Sequence, residues 1–476
     1  MKQRESQLLK SFIPKYFQTQ LNEKLPKQLL LPHLCMKLTT NSPLLSIGLY
    51  KLYVLILLGA TLLAYTLLPM PIVQTQPEQA QRAYSFVDSL GINTHLVYLD
   101  TAYADYNDII KPRLQELGIR HIRDGGFYST EYFNKLKELS SIGITSILTF
   151  FGTPPGEVVG IAKTLKESIE AVEGPNESDL TKFNFSYKGE KFPEGTRVYQ
   201  KELYAAVKGN PETAYLPVLM PSMGWGQNAK RLGYLEYGDI GNLHSYPNLG
   251  ERPTYDIDWY FIPHGRRISG DTKPMWATET GYHNLTSEAL GISETAASKY
   301  LPRLWLEYFN RDIKRVYLYE FIDQQPDRNH SNNELHYGLL RNDGSPKPAY
   351  QSIKNLITLL KEPRANFIPG SLDYGLNGNV TSVNHTLIQK SNGEFYLILW
   401  QDAKSWDNEK KRDIAITNQN VTLTLKTIIS QADVYEPIKG ITPIKQSTSL
   451  SGRIEELTLS VPDHPLVIKL VPPSKK

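Results

Sequence analysis

The chain has 476 residues, 40% of them hydrophobic and 11% aromatic, which is ample for a packed core and excludes global disorder. A single cysteine excludes a disulfide framework and a thiolate zinc site. The net charge of +3 is unevenly placed: residues 1–51 carry eight Lys/Arg against two Asp/Glu, so the remainder is slightly acidic and does not read as a nucleic-acid binder.

The basic excess belongs to the N-terminal end. Residues 52–68 (LYVLILLGATLLAYTLL) form an uncharged apolar run. Extended back to Ser46 across Lys51, it reaches the roughly 20 residues that a spanning helix needs. With a basic tail before it, the positive-inside rule leaves residues 1–45 in the cytoplasm and sends the rest outward. The expectation is a membrane partner through one transmembrane helix at 46–70, then a linker at 71–83. The catalytic body would be periplasmic or extracellular. A cleavable signal peptide, with Met36 as a possible start, is the alternative and leaves the body on the same side.

Eight short runs rich in β-branched and aromatic residues follow. They are 91–98 (GINTHLVY), 119–124 (IRHIRD), 144–151 (ITSILTFF), 169–177 (IEAVEGPNE), 214–221 (AYLPVLMP), 240–247 (IGNLHSYP), 274–281 (PMWATETG) and 315–322 (RVYLYEFI). Segments with helical periodicity separate several of them, at 109–117, 131–140, 158–168 and 298–310, and a last one closes the series at 350–361. Strands alternating with helices predict βαβ units, and eight repeats in about 240 residues suit a closed (β/α)₈ TIM barrel over 84–362. No glycine-rich phosphate loop follows any strand. Residues 363–476 are strand-like and turn-rich and predict a small all-β sandwich, with strands at 395–400, 414–417, 421–426, 431–435, 454–459 and 466–471.

In such a barrel the active site sits where the strands end. Those ends carry Arg123-Asp124, Asn176-Glu177, His244-Ser245-Tyr246, Glu279 and Tyr319-Glu320. Glutamate is depleted in strands, so two apolar runs that end in Glu, on strands four and seven, point to chemistry. Two carboxylates across a barrel mouth suit glycosidic bond cleavage. Histidine pairs at ligand spacing are absent, so no metal and no cofactor are expected.

The segment Glu173-Gly174-Pro175-Asn176-Glu177 resembles the strand-four Asn-Glu motif of clan A retaining glycoside hydrolases. Trp276-Ala277-Thr278-Glu279-Thr280-Gly281 is similar to their strand-seven nucleophile motif, and His244-Ser245-Tyr246 to their strand-six His-x-Tyr. Arg123 falls where the clan commonly keeps an arginine beside the nucleophile. Strand eight departs from a frequent pattern, offering Tyr319-Glu320 where a Trp is common. The resemblance implies a retaining O-glycosyl hydrolase acting on an oligo- or polysaccharide, with Glu177 as acid/base and Glu279 as nucleophile. Asn176, Arg123, His244 and Tyr246 would then contact substrate or the carboxylates. Tyr319, Glu320, His95 and Trp225 complete the expected sugar-binding set, and the loop aromatics Phe127, Trp259 and Tyr282 stand between sugar stacking and core capping. A transglycosylase with the same residues, or a non-catalytic glycan-binding protein on the same fold, are the alternatives.

Overall fold

The computed structural model describes residues 77–449 and 452–473. The expected membrane helix and basic tail lie outside the described residues. Within them, no helix is long and apolar enough to cross a membrane.

Eight parallel strands form one sheet: β1 (Leu90–Asn93), β2 (His121–Gly125), β3 (Thr145–Thr149), β4 (Ile169–Glu173), β5 (Val218–Leu219), β6 (Gly241–Ser245), β7 (Met275–Thr280) and β8 (Ile313–Leu318). A parallel bridge between Leu219 and Ile240 joins β5 to β6 and closes the barrel. The helices between and after the strands are α1 (Lys111–Leu117), α2 (Thr130–Ser141), α3 (Pro155–Leu165), α4 (Glu194–Gly209), α5 (Ala229–Leu232), α6 (Ile262–Ser269), α7 (Glu294–Asn310) and α8 (Pro348–Leu360). The expected eight repeats are therefore present, although β5 is far shorter than its apolar run. Pro217 and Pro221 bracket it and cannot donate ladder hydrogen bonds.

Side chains fill the barrel in layers, because alternate residues of each strand point inward. One layer is apolar: Ile147, Ala171, Leu219, Ile240, Trp276 and Tyr317 form a closed cluster. Gly91 belongs to this level, and its missing Cβ makes room for the Tyr317 ring, which would otherwise be 2.4 Å away. Two residues further along their strands, the same inward alternation brings Asn93, Glu173, Asn242 and Thr278 together. This second layer is polar, and it is the floor of the site.

The C-terminal region is a two-sheet sandwich, as expected, with a different strand list. One sheet contains β9 (Tyr374–Gly378), β12 (Gln419–Leu425) and β15 (Glu456–Val461). The other contains β10 (Val383–Gln389), β11 (Phe395–Gln401), β13 (Gln431–Tyr435), β14 (Lys445–Thr448) and β16 (Leu466–Val471). Residues 414–417, expected as a strand, form none. This short β-branched run follows the small hairpin of Trp406–Asp407 with Arg412–Asp413. The region expected as a linker is in part structural: Glu78–Gln79 pairs with Ser371–Leu372, and Gln81–Arg82 adds a parallel strand beside β10.

Strand β11 explains its own unbroken apolar sequence. Phe395, Leu397 and Leu399 join the core of the sandwich, whereas Tyr396, Ile398 and Trp400 join the core of the barrel. Both faces are buried, so neither has reason to be polar. Trp400 Nε1 donates to Glu307 on α7 at 2.8 Å. Nearby, the buried Arg303 of α7 donates to the Ala403 and Asp463 carbonyls and pairs with Asp402 at 3.1 Å.

Candidate active site

The site is organised by Arg123 in the middle of β2. Its Nε and Nη2 donate to the two oxygens of Glu173 at 2.7 and 2.9 Å. Nη1 donates to Glu279 Oε1 at 2.7 Å and to Asn93 Oδ1 at 2.9 Å, and Nη2 also donates to Asn176 Oδ1 at 2.7 Å. One buried cation thus fixes two carboxylates and two amides, with a planar geometry that only a guanidinium offers. Its neighbour Asp124 accepts from Thr94 Oγ1 and from the Leu96 and Gly125 amides.

Glu279 reaches the site through a bulge. Leu243 of β6 is paired with Ala277 and His244 with Glu279, which leaves Thr278 as an extra residue in β7. Successive strand residues normally face opposite sides; the bulge lets Thr278 and Glu279 both serve the interior. Thr278 Oγ1 lies 2.7 Å from Asn242 Oδ1 and 3.2 Å from Glu173. Glu279 is held by Arg123 at one oxygen and by the Tyr246 hydroxyl at the other, at 2.7 Å.

Glu177 lies beyond the end of β4, after a sharp bend. Just before it, Gly174 lets the chain pass close to α4, since a Cβ there would stand 2.0 Å from Gln200 Oε1. Glu177 itself has φ of 42°, a left-handed conformation that side chains rarely adopt, and its amide donates to Ser222 Oγ at 3.2 Å. Backbone strain of this kind gathers at functional sites.

His244 stands between the two glutamates. Its Nδ1 is 2.9 Å from Glu177 Oε1 and 3.5 Å from Glu279 Oε2, and its Nε2 is 3.1 Å from Thr278 Oγ1. One oxygen of each glutamate and one nitrogen of His244 all lie within 4.8 Å of one another. This is close to the carboxylate spacing of about 5–5.5 Å that goes with retention. The three could serve as donors to a cation, but the Arg123 guanidinium already supplies positive charge to Glu279.

Burial and the neighbouring charges set the protonation of Glu279 and of the groups around it. Burial would raise the pKa of Glu279, but the positive His244 and Arg123 and the Tyr246 hydrogen bond outweigh it and hold the carboxyl below its ordinary value. Burial acts against a charged His244, yet Glu279 and Glu177 draw its pKa above the ordinary histidine value. Burial and the adjacent Glu279 keep the Tyr246 phenol protonated, and so a donor.

A cleft of about 650 Å³ opens above these groups. Of the residues expected at the site, Arg123, Asn176, Glu177, Tyr246, Glu279, Tyr319 and His95 line it. His244 lies just behind its wall, joined to both carboxylates. Glu320 does not face the cleft. It is fully buried, accepts from Tyr103 and Gln324, and stands 3.3 Å from His95; burial raises its pKa well above the carboxylate range. Trp225 is 58% exposed and lies outside the cleft lining, with its amide turned to Asp179. Of the loop aromatics, Phe127 lines the cleft, Trp259 is exposed outside it, and Tyr282 is buried with its hydroxyl on the Glu251 carbonyl.

Sequence reasoning missed Glu173, Asn93, Asn242 and Thr278. The inward parity of β4 could have exposed Glu173, which sits two residues beyond the inward Ala171. Tyr337 and Glu334, on the loop after β8, also line the cleft and carry no local signal.

The fold has counterparts among solved structures. A GH39 enzyme from Xanthomonas axonopodis pv. citri aligns with a TM-score of 0.53 and 13% identity, over 83% of this chain and 96% of that one. A family 39 glycoside hydrolase from Bacteroides cellulosilyticus aligns at 0.48 and 15%, over 81% of this chain and 82% of that one. A β-1,3-glucanosyltransferase from Rhizomucor miehei aligns at 0.39 and 17%, over 56% of this chain and 97% of that one. No protein-family model and no curated protein matches the sequence. The first of these likenesses establishes a shared fold; the chemistry must be argued from the site.

Proposed function

We propose that the chain is a retaining glycoside hydrolase in which Glu279 is the nucleophile and Glu177 the acid/base. The observation that carries this is the pair itself. Two glutamates at opposite sides of a barrel mouth have oxygens within 4.8 Å, and only Glu279 is clamped by Arg123 and Tyr246. A nucleophile must be ionised, and those contacts favour the ionised form.

Glu177 is positioned by its hydrogen bond to His244 Nδ1 at 2.9 Å, and as the acid it carries a proton into the reaction. In the first step that proton passes from Glu177 to the glycosidic oxygen as the bond to the anomeric carbon breaks, and Glu279 attacks that carbon. In the second step Glu177 takes a proton from water, the water oxygen bonds to the anomeric carbon, and Glu279 leaves. Asn176 is held by Arg123 beside Glu177, in place to meet a sugar hydroxyl.

The test is a panel of activated aryl glycosides in both anomeric series, followed by the 2-deoxy-2-fluoro analogue of whichever is cleaved. Such analogues slow the second step, so the intact enzyme should gain one glycosyl mass, on the peptide that contains Glu279. A label elsewhere, or first-formed product of inverted configuration, would refute the assignment.

The apolar run at 52–68 and the basic tail support placing the barrel on the outer side of a membrane. Protease added to intact cells or spheroplasts should then digest the body and spare a small membrane-bound stub.

A further inference from the structure

The two halves of the cleft differ in chemistry. Around Glu279 the aromatic residues carry hydroxyls: Tyr246, Tyr319 and Tyr337 pack edge to face, with ring centroids 5.3–6.4 Å apart. The other half is lined by one tyrosine, Tyr98, and three phenylalanines, Phe127, Phe151 and Phe183, which follow β1, β2, β3 and β4 in turn. These strands are neighbours in the barrel, so the four residues follow one another around this side of the cleft, and Phe151 touches Phe183. Tyr98, Phe127 and Phe151 are 39, 49 and 42% exposed. Apolar rings left in contact with water along a cleft mark a binding surface.

The row is held in place. Tyr98 stacks on His95 at 4.7 Å, and Phe151 meets Phe183 and Phe185 edge to face at 5.7 and 5.2 Å. The Phe127 ring lies over Gly125, where a Cβ would come within 2.6 Å of it. The phenylalanine rings cannot hydrogen-bond a hydroxyl; they can accept the C–H face of a pyranose.

Two cations line the cleft, Arg123 and Lys182. Arg123 is taken by Glu173 and Glu279, and Lys182 faces Glu334 at 4.0 Å. Burial lowers the pKa of His95 to about 4, so it is neutral near pH 7. Among the described residues of the cleft, a uronate or sulfated sugar would find only Lys182, itself facing Glu334, and would meet the carboxylates of Glu177, Glu279 and Glu334.

We infer that the cleft takes a neutral oligosaccharide or polysaccharide, whose units beyond the cleavage point lie along the Tyr98–Phe127–Phe151–Phe183 row. The link to catalysis rests on the glycosidase reading, whereas the binding itself does not.

The probe is a glycan array of neutral and acidic oligosaccharides, read with the Glu279→Gln protein. Neutral chains longer than a disaccharide should bind, and the best of them should weaken about tenfold in Phe127→Ala and in Phe151→Ala by titration calorimetry. Gly125→Ala, which displaces the Phe127 ring without removing it, should weaken the same ligand. In otherwise wild-type enzyme the ratio of kcat/KM for that oligosaccharide to kcat/KM for an aryl monoglycoside should fall in each variant. Preferential binding of acidic glycans overturns the inference. So does unchanged affinity in both folded phenylalanine variants, even if aryl glycosides are hydrolysed normally. Ring-dependent binding without turnover of any glycoside would keep the row and remove the glycosidase reading.

Discussion

Arg123 grips Glu173 through two N–H···O bonds, at 2.7 and 2.9 Å, in a part of the barrel closed to solvent. Glu173 is too deep to line the cleft, so its role is to aim the arginine whose other nitrogen holds Glu279. Burying two charges is costly, and their pairing is what makes it tolerable.

Glu173→Gln should therefore damage stability and catalysis together. Breaking one partner of a buried pair costs about 3–5 kcal/mol, which a urea titration would register as a lower midpoint at unchanged slope. The freed guanidinium should also lose its orientation, so kcat should fall more than KM rises. A variant with wild-type midpoint and wild-type kcat would remove Glu173 from this role.

His244→Gln should move the acid limb of the pH profile. After burial, which opposes ionisation, His244 is the largest influence on Glu279, and it lowers that pKa. Removing its positive charge raises the nucleophile's pKa, so kcat/KM should begin to fall at higher pH than in wild type. The stability signs follow. Glu279, depressed when folded, adds stability present above about pH 4.5 and lost as pH falls through its lower folded value. His244, raised when folded, adds stability present below about pH 6.5 and lost as pH rises through its higher folded value. An acid limb unmoved in His244→Gln would mean that Arg123 and Tyr246 alone set the nucleophile.

Trp400→Ala tests the join between sandwich and barrel. The side chain is fully buried in the barrel's core, and its Nε1 donates to Glu307. Removing a buried tryptophan costs about 3–5 kcal/mol. The melting temperature should drop by several degrees, while the ranking of substrates stays as it was. An altered ranking would show that the sandwich shapes the cleft, which none of its residues lines.

The barrel was legible because its signals are periodic: eight β-rich runs recur along the chain, with helical periodicity in several of the gaps between them. The proposed catalytic pair stands out in the sequence because Glu177 and Glu279 end apolar runs, where glutamate has no packing reason to be. Glu320 ends such a run too, and there the same argument misleads, because Tyr103 and Gln324 turn its carboxyl away from the cleft. The supporting layer was hidden for a different reason. Asn93, Glu173, Asn242 and Thr278 gain meaning only when four strands are closed around one arginine, and the bulge at Thr278 shifts the parity on which a reading of β7 depends. Trp225 shows the limit for loops: lying after a strand does not decide which side of the rim a ring takes.

The two carboxylates can be told apart by chemical rescue. Glu279→Ala leaves no nucleophile, so turnover should stop for every substrate. Glu177→Ala keeps the nucleophile but loses the proton donor. Substrates with poor leaving groups should slow most, because they need protonation in the transition state. An activated aryl glycoside should still complete the first step and then stall, since water lacks a general base. Azide needs no base. In Glu177→Ala it should attack the glycosyl-enzyme and give a glycosyl azide of retained configuration. In Glu279→Ala it should enter the vacated space and attack the anomeric carbon directly, with Glu177 still protonating the leaving oxygen, and give the inverted azide. The strained backbone at Glu177 makes its alanine variant a fair comparison only if it folds, so both variants should be matched to wild type by circular dichroism first. Proton NMR of the azide products reads the anomer directly. The reverse pattern would exchange the two roles, and wild-type turnover in either variant would refute the two-carboxylate mechanism.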